Sequence, residues 1–382
     1  MAFLRQTAKS ASKAVYQTAN EIKRRMSDVA TLDMSPKARK YVGYWLLACS
    51  AGVYVAVGAG GLTRLQESAM KMTDRHPFRW LPPFGQKAWE EEFENYKKFD
   101  EYMLLTPEDR GELTLEMFKF KWSLVYCHRM GGRSLFFLFM GPCIYFWKKG
   151  YFNSVLKKRM LFAGLLMAAQ IPIGWWMLNS GLHRELMANK EKPGVSQYRM
   201  ATHLVVPFMM YGVFLYSGLS MFLKPQDHSN VAKIGQLRFL GKGLIAMLLV
   251  GSGMGCFLTA LDAAEPEYAR KWLPDDLFVM VPKWKNIFEN PVTVQFIHRY
   301  LGYISFAVIN ATYFIGRRMH LHPRAMTALK GMMALGYAQL VLGVSTLYFR
   351  DPAILAWLHQ NFSIILFTFL IWLVHEIRRL PK

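Results

Sequence analysis

The chain has 382 residues, 53% of them hydrophobic, and a formal charge of +21. A soluble protein of this length can be as apolar overall, but it does not gather its apolar residues into runs of roughly 20, the length that crosses a bilayer core. Eight such runs are present, and the basic residues are spread through alternate connections and not concentrated in one basic domain. Together these features exclude a soluble nucleic-acid-binding protein.

From the N-terminus, no acidic residue appears before Glu21, while Arg5, Lys9, Lys13, Lys23, Arg24 and Arg25 lie in a Ser/Thr/Ala-rich stretch. This is the profile of a mitochondrial presequence; a secretory signal would have a central apolar run, and a plain basic tail is the alternative. The apolar runs follow at about 41–61, 122–147, 160–181, 200–223, 239–261, 295–316, 326–348 and 353–375. The expected fold is therefore an all-α integral membrane protein with eight transmembrane helices. One set of connections carries Lys148, Lys149, Lys157, Lys158 and Arg159, then Lys224, Lys233, Arg238 and Lys242. It continues with Arg317, Arg318, Arg324 and Lys330 and ends at Arg378, Arg379 and Lys382. The opposite connections hold Glu90, Glu91, Glu92, Glu94, Asp100 and Glu101, and later Glu265, Glu267, Asp275 and Asp276. The positive-inside rule then puts both termini on one side, the matrix if the presequence reading holds, in the mitochondrial inner membrane.

Short matches in matching order predict two tandem four-helix bundles related by a pseudo-two-fold repeat. Leu62-Thr63-Arg64-Leu65 resembles Leu258-Thr259-Ala260-Leu261, and His128-Arg129 resembles His298-Arg299, with Gly132 and Gly302 four residues after the histidines. Gln170 and Gly174 match Gln339 and Gly343, and His203 matches His359. The expected organisation is residues 1–40 as presequence and matrix tail, 41–224 and 225–375 as the two halves, and 376–382 as a basic matrix tail.

Six of the ten histidines lie in polar connections (His76, His183, His228, His320, His322) or at the basic end of the last helix, where His375 is expected to reach the interface. The other four, His128, His203, His298 and His359, sit early in runs that all enter from the non-basic side. An ionisable group in a membrane run is costly and points to function. A lone histidine there can serve as a helix–helix hydrogen bond; four at equivalent positions instead suggest two sites, each clamping one planar macrocycle between two imidazoles. Heme iron takes such axial ligands. Zinc and copper sites usually add carboxylates or thiolates, which are not placed nearby. Cys49, Cys127, Cys143 and Cys256 form no CxxC pair, so neither a disulfide framework nor a zinc site is suggested. Arg64, Arg129, Arg133 and Arg299 lie near the same boundary and are candidates to pair with heme propionates, or are ordinary interfacial arginines.

At these residues the sequence resembles a known family. The segments are Gly60-Gly61-Leu62-Thr63-Arg64-Leu65-Gln66-Glu67-Ser68, Tyr126-Cys127-His128-Arg129-Met130, Val195-Ser196-Gln197-Tyr198-Arg199 leading to His203, Phe288-Glu289-Asn290-Pro291 leading to His298-Arg299, and His359-Gln360. They are similar to those of the eukaryotic heme A synthases, the cytochrome c oxidase assembly factors of the mitochondrial inner membrane. The resemblance runs from about residue 41 to the C-terminus. It implies oxidation of the C8 methyl of heme o to a formyl group, giving heme a. It also implies that His128 and His203 attend the substrate heme o, and that His298 and His359 ligate a resident heme b. Implied partners are the membrane lipid, a ferredoxin-type electron donor, heme O synthase and oxidase assembly factors, with a homo-oligomer left open and no nucleic acid. Two departures stand out. The family has a glutamate three residues before the first histidine, where this chain has Val125; Glu67 and Asp262 are substitute acids by side. The connection after Leu261-Asp262-Ala263 is also shorter, running almost directly to Trp272-Leu273-Pro274. These departures raise the alternative of a heme-binding assembly or chaperone factor that cannot complete the oxidation. A transmembrane electron carrier of the cytochrome b561 kind would need hemes near both faces, whereas the four histidines lie toward one.

Overall fold

The structure is a computed structural model that describes residues 34–65, 81–103, 105, 107–180, 195–264, 266–269, 271–350 and 352–379; among them every regular element is a helix. The presequence reading at 1–33, Glu67 with the end of its motif, His76, His183 and the last three residues lie outside the described residues.

The main helices are α1 (Pro36–Leu65), α2 (Gly85–Tyr96), α3 (Leu115–Lys148), α4 (Ser154–Asn179), α5 (Gln197–Phe222), α6 (Ile234–Ala260), α7 (Pro291–Gly316), α8 (Pro323–Tyr348) and α9 (Ala353–Glu376). Their starts follow from local chemistry. Ser35, Thr114, Asn153 and Asn290 each accept a main-chain N–H of the first turn of α1, α3, α4 and α7, and proline opens α1, α7 and α8 where its missing N–H is harmless. α3 ends on Gly150, whose φ of 71° lets the chain turn back so that Tyr151 N bonds the Phe146 carbonyl.

Seven of these helices are long and apolar enough to cross a membrane: α1 and α4 to α9. The shortest, α9, has 24 residues and would reach about 36 Å at 1.5 Å per residue, beyond the ~30 Å hydrocarbon core. The eighth expected run, 122–147, lies in α3. That helix is the longest at 34 residues, but Lys119, Lys121, Arg129, Arg133 and Lys148 dilute its apolar character, and it does not meet the same standard.

Within the N-terminal half α1 packs on α3 and α5, and α4 packs on α5 and α3. Within the C-terminal half α6 packs on α7 and α9, and α8 packs on α9 and α7. The halves meet where α5 touches α6 and where α1 and α5 touch α9. In lipid the hydrophobic effect drives little helix association, so close packing and buried hydrogen bonds must hold the bundle. Trp45 illustrates both. It stacks on Phe139 and Phe152 with centroids 5.8 and 6.1 Å away, and its indole N–H donates to the Leu138 carbonyl at 2.8 Å. Small residues set the approach: Gly43 of α1 lies against Phe222, and Gly331 of α8 against the ring of Phe369.

At the basic end of the bundle His375 does not reach the interface as expected; it is fully buried. Arg238 of α6 donates to the Ile377 carbonyl just beyond α9, and Arg324 of α8 reaches Glu376 in its last turn. His375 Nε2 shares a hydrogen bond with Ser220 Oγ at 3.2 Å, and its ring meets Tyr216 edge-on. The buried Glu376 accepts from the Trp372 indole and pairs with Arg324 at 3.2 Å. The short connection after α6 is also well tied. Buried Asn286 bonds the main chain at Met280 and Lys283, Asn290 donates to the Asp276 carbonyl, and Thr293 donates to the Leu277 carbonyl.

Candidate functional site

The bundle brings the four membrane histidines together as two pairs. His128 of α3 faces His203 of α5, with ring centroids 6.3 Å apart and planes at 79°. His298 of α7 faces His359 of α9 at 6.4 Å and 73°. The two members of each pair come from the same half of the chain, as the resemblance implies, and the repeat relates one pair to the other.

The spacing has chemical content. Two imidazoles binding one metal ion between them, with metal–nitrogen bonds of about 2.0–2.1 Å and five-membered rings of ~1.33 Å bonds, have centroids about 6.4 Å apart. Both pairs stand at that separation, so each fits one metal ion held between its two imidazoles, as a heme iron would be. Among the described residues no group of three or more His, Cys, Asp or Glu gathers to hold a metal ion; the donors come as pairs.

Each imidazole is set by the helix beside it. His128 Nδ1 lies 3.1 Å from the Ala56 carbonyl of α1. A carbonyl only accepts, so Nδ1 carries the proton and Nε2 keeps its lone pair. A Cβ built on Gly60 would stand 2.7 Å from His128 Cε1; the matching distances are 2.9 Å from Gly174 to His203, 3.4 Å from Gly255 to His298 and 3.0 Å from Gly343 to His359. Gln170 and Gln339 sit one turn before Gly174 and Gly343 and also meet the histidines. Their amide groups donate to the main-chain carbonyls of His203 at 2.7 Å and His359 at 3.1 Å. Sequence reading found Gln170, Gly174, Gln339 and Gly343 as markers of the repeat but missed that they touch the histidines. Gly60 stood in a quoted motif and Gly255 in none. The four-residue Gln-to-Gly spacing, which puts both on one helix face, was the available signal.

The expected arginines divide. Arg299 is drawn into the connection after α6, donating to the carbonyls of Ala269, Lys271 and Trp272, with its guanidinium over Trp272. Arg64 donates to the Thr259 carbonyl at 2.9 Å and so joins the two segments matched in the repeat. Arg133 meets the Met130 sulfur one turn before it. Arg129 lies half-buried one residue after His128. Val125, one turn before His128, is 6% exposed and provides neither charge nor proton. Asp262 is exposed, just beyond the end of α6, with φ 50°.

Fold and site together define a multi-helix membrane protein with two intramembrane pairs of facing imidazoles. The family model described as cytochrome oxidase assembly protein, COX15-CtaA, matches residues 43–371, and the chain belongs to that family. It is similar to heme A synthase COX15 of Homo sapiens, with 39% identity over 91% of this chain and 85% of the relative. It is also similar to heme A synthase COX15 of Arabidopsis thaliana, with 34% identity over 93% of this chain and 81% of the relative. The Saccharomyces cerevisiae protein of the same name is 33% identical over 90% of this chain and 76% of the relative.

Proposed function

We propose that this chain is a heme A synthase of the mitochondrial inner membrane, an oxidoreductase that converts the C8 methyl of heme o to the formyl group of heme a. The observation that carries this reading is the geometry of the two histidine pairs, each at the separation that one bis-imidazole iron requires. The names of relatives at 33–39% identity over most of the chain agree with it. The alternative, a heme-binding factor that cannot oxidise its heme, is not favoured by these relatives.

The two pairs take different roles in this reading. His128 and His203 bind heme o as substrate, and His298 and His359 hold a resident heme b. A heme in the second site supplies one-electron chemistry near the first. The protein's own contribution is to orient the imidazoles, keep Nε2 of His128 free and exclude bulk water within the bundle. Residues 41–224 and 225–375 are then the halves of a duplicated four-helix unit, with α3 as its eighth spanning helix. The matching packing order and the matching His–Gly contacts support this. Basic residues in alternate connections favour both termini in the matrix. A ferredoxin-type protein is the proposed electron donor, and heme O synthase the proposed supplier of substrate.

The test is purified protein with its heme typed and counted, given heme o and a reducing system. Formation of heme a, read by pigment extraction and chromatography, supports the reading. Heme o left unchanged beside an intact heme b overturns it.

A further inference from the structure

The four histidines face four glycines on neighbouring helices, and the register is the same each time. Side chains on an α-helix lean toward its N-terminus, so the residue at i+4 covers the carbonyl of residue i. Glycine at i+4 leaves that carbonyl bare to a second donor from another helix. Helix α1 does this twice in succession. Gly60 bares the Ala56 carbonyl, which takes His128 Nδ1 at 3.1 Å; Gly61 bares the Val57 carbonyl, which takes the Gln360 amide at 3.0 Å. A Cβ on either glycine would overlap the incoming side chain. The same offset recurs on α6 and α8. On α6 the Gly251 carbonyl stands one turn before Gly255, which meets His298, and on α8 the Gln339 carbonyl stands one turn before Gly343, which meets His359. Nδ1 of His203, His298 and His359 is buried with no hydrogen-bond partner, and the Gln339 side-chain amide lies 3.4 Å from His359 Nε2. Gln170, one turn before Gly174, reaches His203 through its side-chain amide, which donates to the His203 main-chain carbonyl.

We propose that Gly60, Gly174, Gly255 and Gly343 are positioning residues for the histidines. Each leaves its imidazole room against the helix beside it, and at Gly60 the bared Ala56 carbonyl also accepts the His128 Nδ1–H so that Nε2 is left for iron. The inference rests on reading the pairs as heme sites. Such backbone acceptors fix the tautomer and raise ligand basicity, and losing an outer partner of this kind typically costs about 10–100-fold in metal affinity. A more basic ligand favours ferric iron, so covering the carbonyl also raises the midpoint potential of the heme at that pair.

The experiment uses the full-length protein in lipid nanodiscs with G60A, G174A, G255A and G343A, and with G141A and G243A as controls whose added Cβ meets nothing within 4 Å. Iron protoporphyrin IX is titrated into each, and its affinity, midpoint potential and imidazole hyperfine couplings are read at each pair. The expected result is a loss of affinity at the altered pair alone, about 10–100-fold in G60A with a raised potential and changed couplings there, and no change in the controls. G60A should act most strongly and G255A least, following their contact distances of 2.7 and 3.4 Å. The unaltered pair reports in the same sample that the protein is folded. In G60A, lower affinity with unchanged potential and couplings would mean that the glycine only makes room, and would overturn the proposal. Unchanged binding in G60A would also overturn it while leaving the proposed function standing. No heme uptake by the unmodified protein would sink both.

Discussion

The side chain of Gln360, the residue after His359, donates to the Val57 carbonyl of α1 at 3.0 Å. Beside it the Trp357 indole donates to the Gly58 carbonyl at 2.8 Å. The first helix of the N-terminal half therefore serves both sites: the Ala56 carbonyl and Gly60 meet His128, while the Val57 and Gly58 carbonyls hold the helix that carries His359.

Gln360→Leu should destabilise the protein by about 0.5–1.5 kcal/mol, the usual worth of one such hydrogen bond, and more if the partner carbonyl is left unsatisfied. Because the bond lies one residue from His359, heme should be lost preferentially from the second pair. Thermal unfolding of the nanodisc-embedded protein, with heme counted at each pair, checks both outcomes. Equal loss from the two pairs would contradict it.

Val125→Glu places a carboxylate one turn before His128 and four residues before Arg129. A glutamate N-terminal to an arginine at that spacing is the favourable orientation for a helical ion pair. Burial raises a carboxyl pKa unless a cation compensates, so Arg129 decides whether the new group is tolerated. The expected outcome is a folded protein with a higher yield of heme a, measured by extracting and separating the pigments. An unchanged yield from correctly loaded protein would show that this position does not limit the reaction.

Gly331→Ala forces a Cβ into the Phe369 ring between α8 and α9. Overpacking of this kind costs typically about 1–3 kcal/mol. A lowered Tm is expected, whereas Gly302→Ala, facing open space, should leave Tm unchanged apart from a small gain in helix propensity.

His228 lies buried in the connection between α5 and α6, with Nε2 accepting the His322 main-chain N–H at 3.2 Å. Burial pushes its imidazole below the ordinary value of 6.5, and His322 and Arg238 nearby act in the same direction. The folded state therefore binds fewer protons than the unfolded state, and stability rises with pH through this window. The contribution is fully present above 6.5 and is lost as pH falls below it toward the lower folded value. Melting curves at stepped pH should show a drop on acidification that is smaller in His228→Gln. Identical pH dependence in the two proteins would refute this role.

By itself the sequence determined the membrane class, the limits of most helices, the pairing of the histidines and the resemblance to a family. Each of these depends on local composition or on order along one chain: an apolar run, a cap before a helix, or a His-Arg recurring in the same order in each half. Its limits show where composition alone is ambiguous, as in α3, whose arginines dilute the signal of a helix with a full span's length. Only the tertiary structure decided that the paired imidazoles stand 6.3 and 6.4 Å apart, that Arg299 is held by the carbonyls of its own connection, and that His375 is buried. It also decided that glycines on other helices lie against the histidines. Those facts depend on contacts between residues far apart in sequence. The Gln360–Val57 bond joins positions 303 residues apart, and no periodicity along the chain encodes which helix will lie beside which.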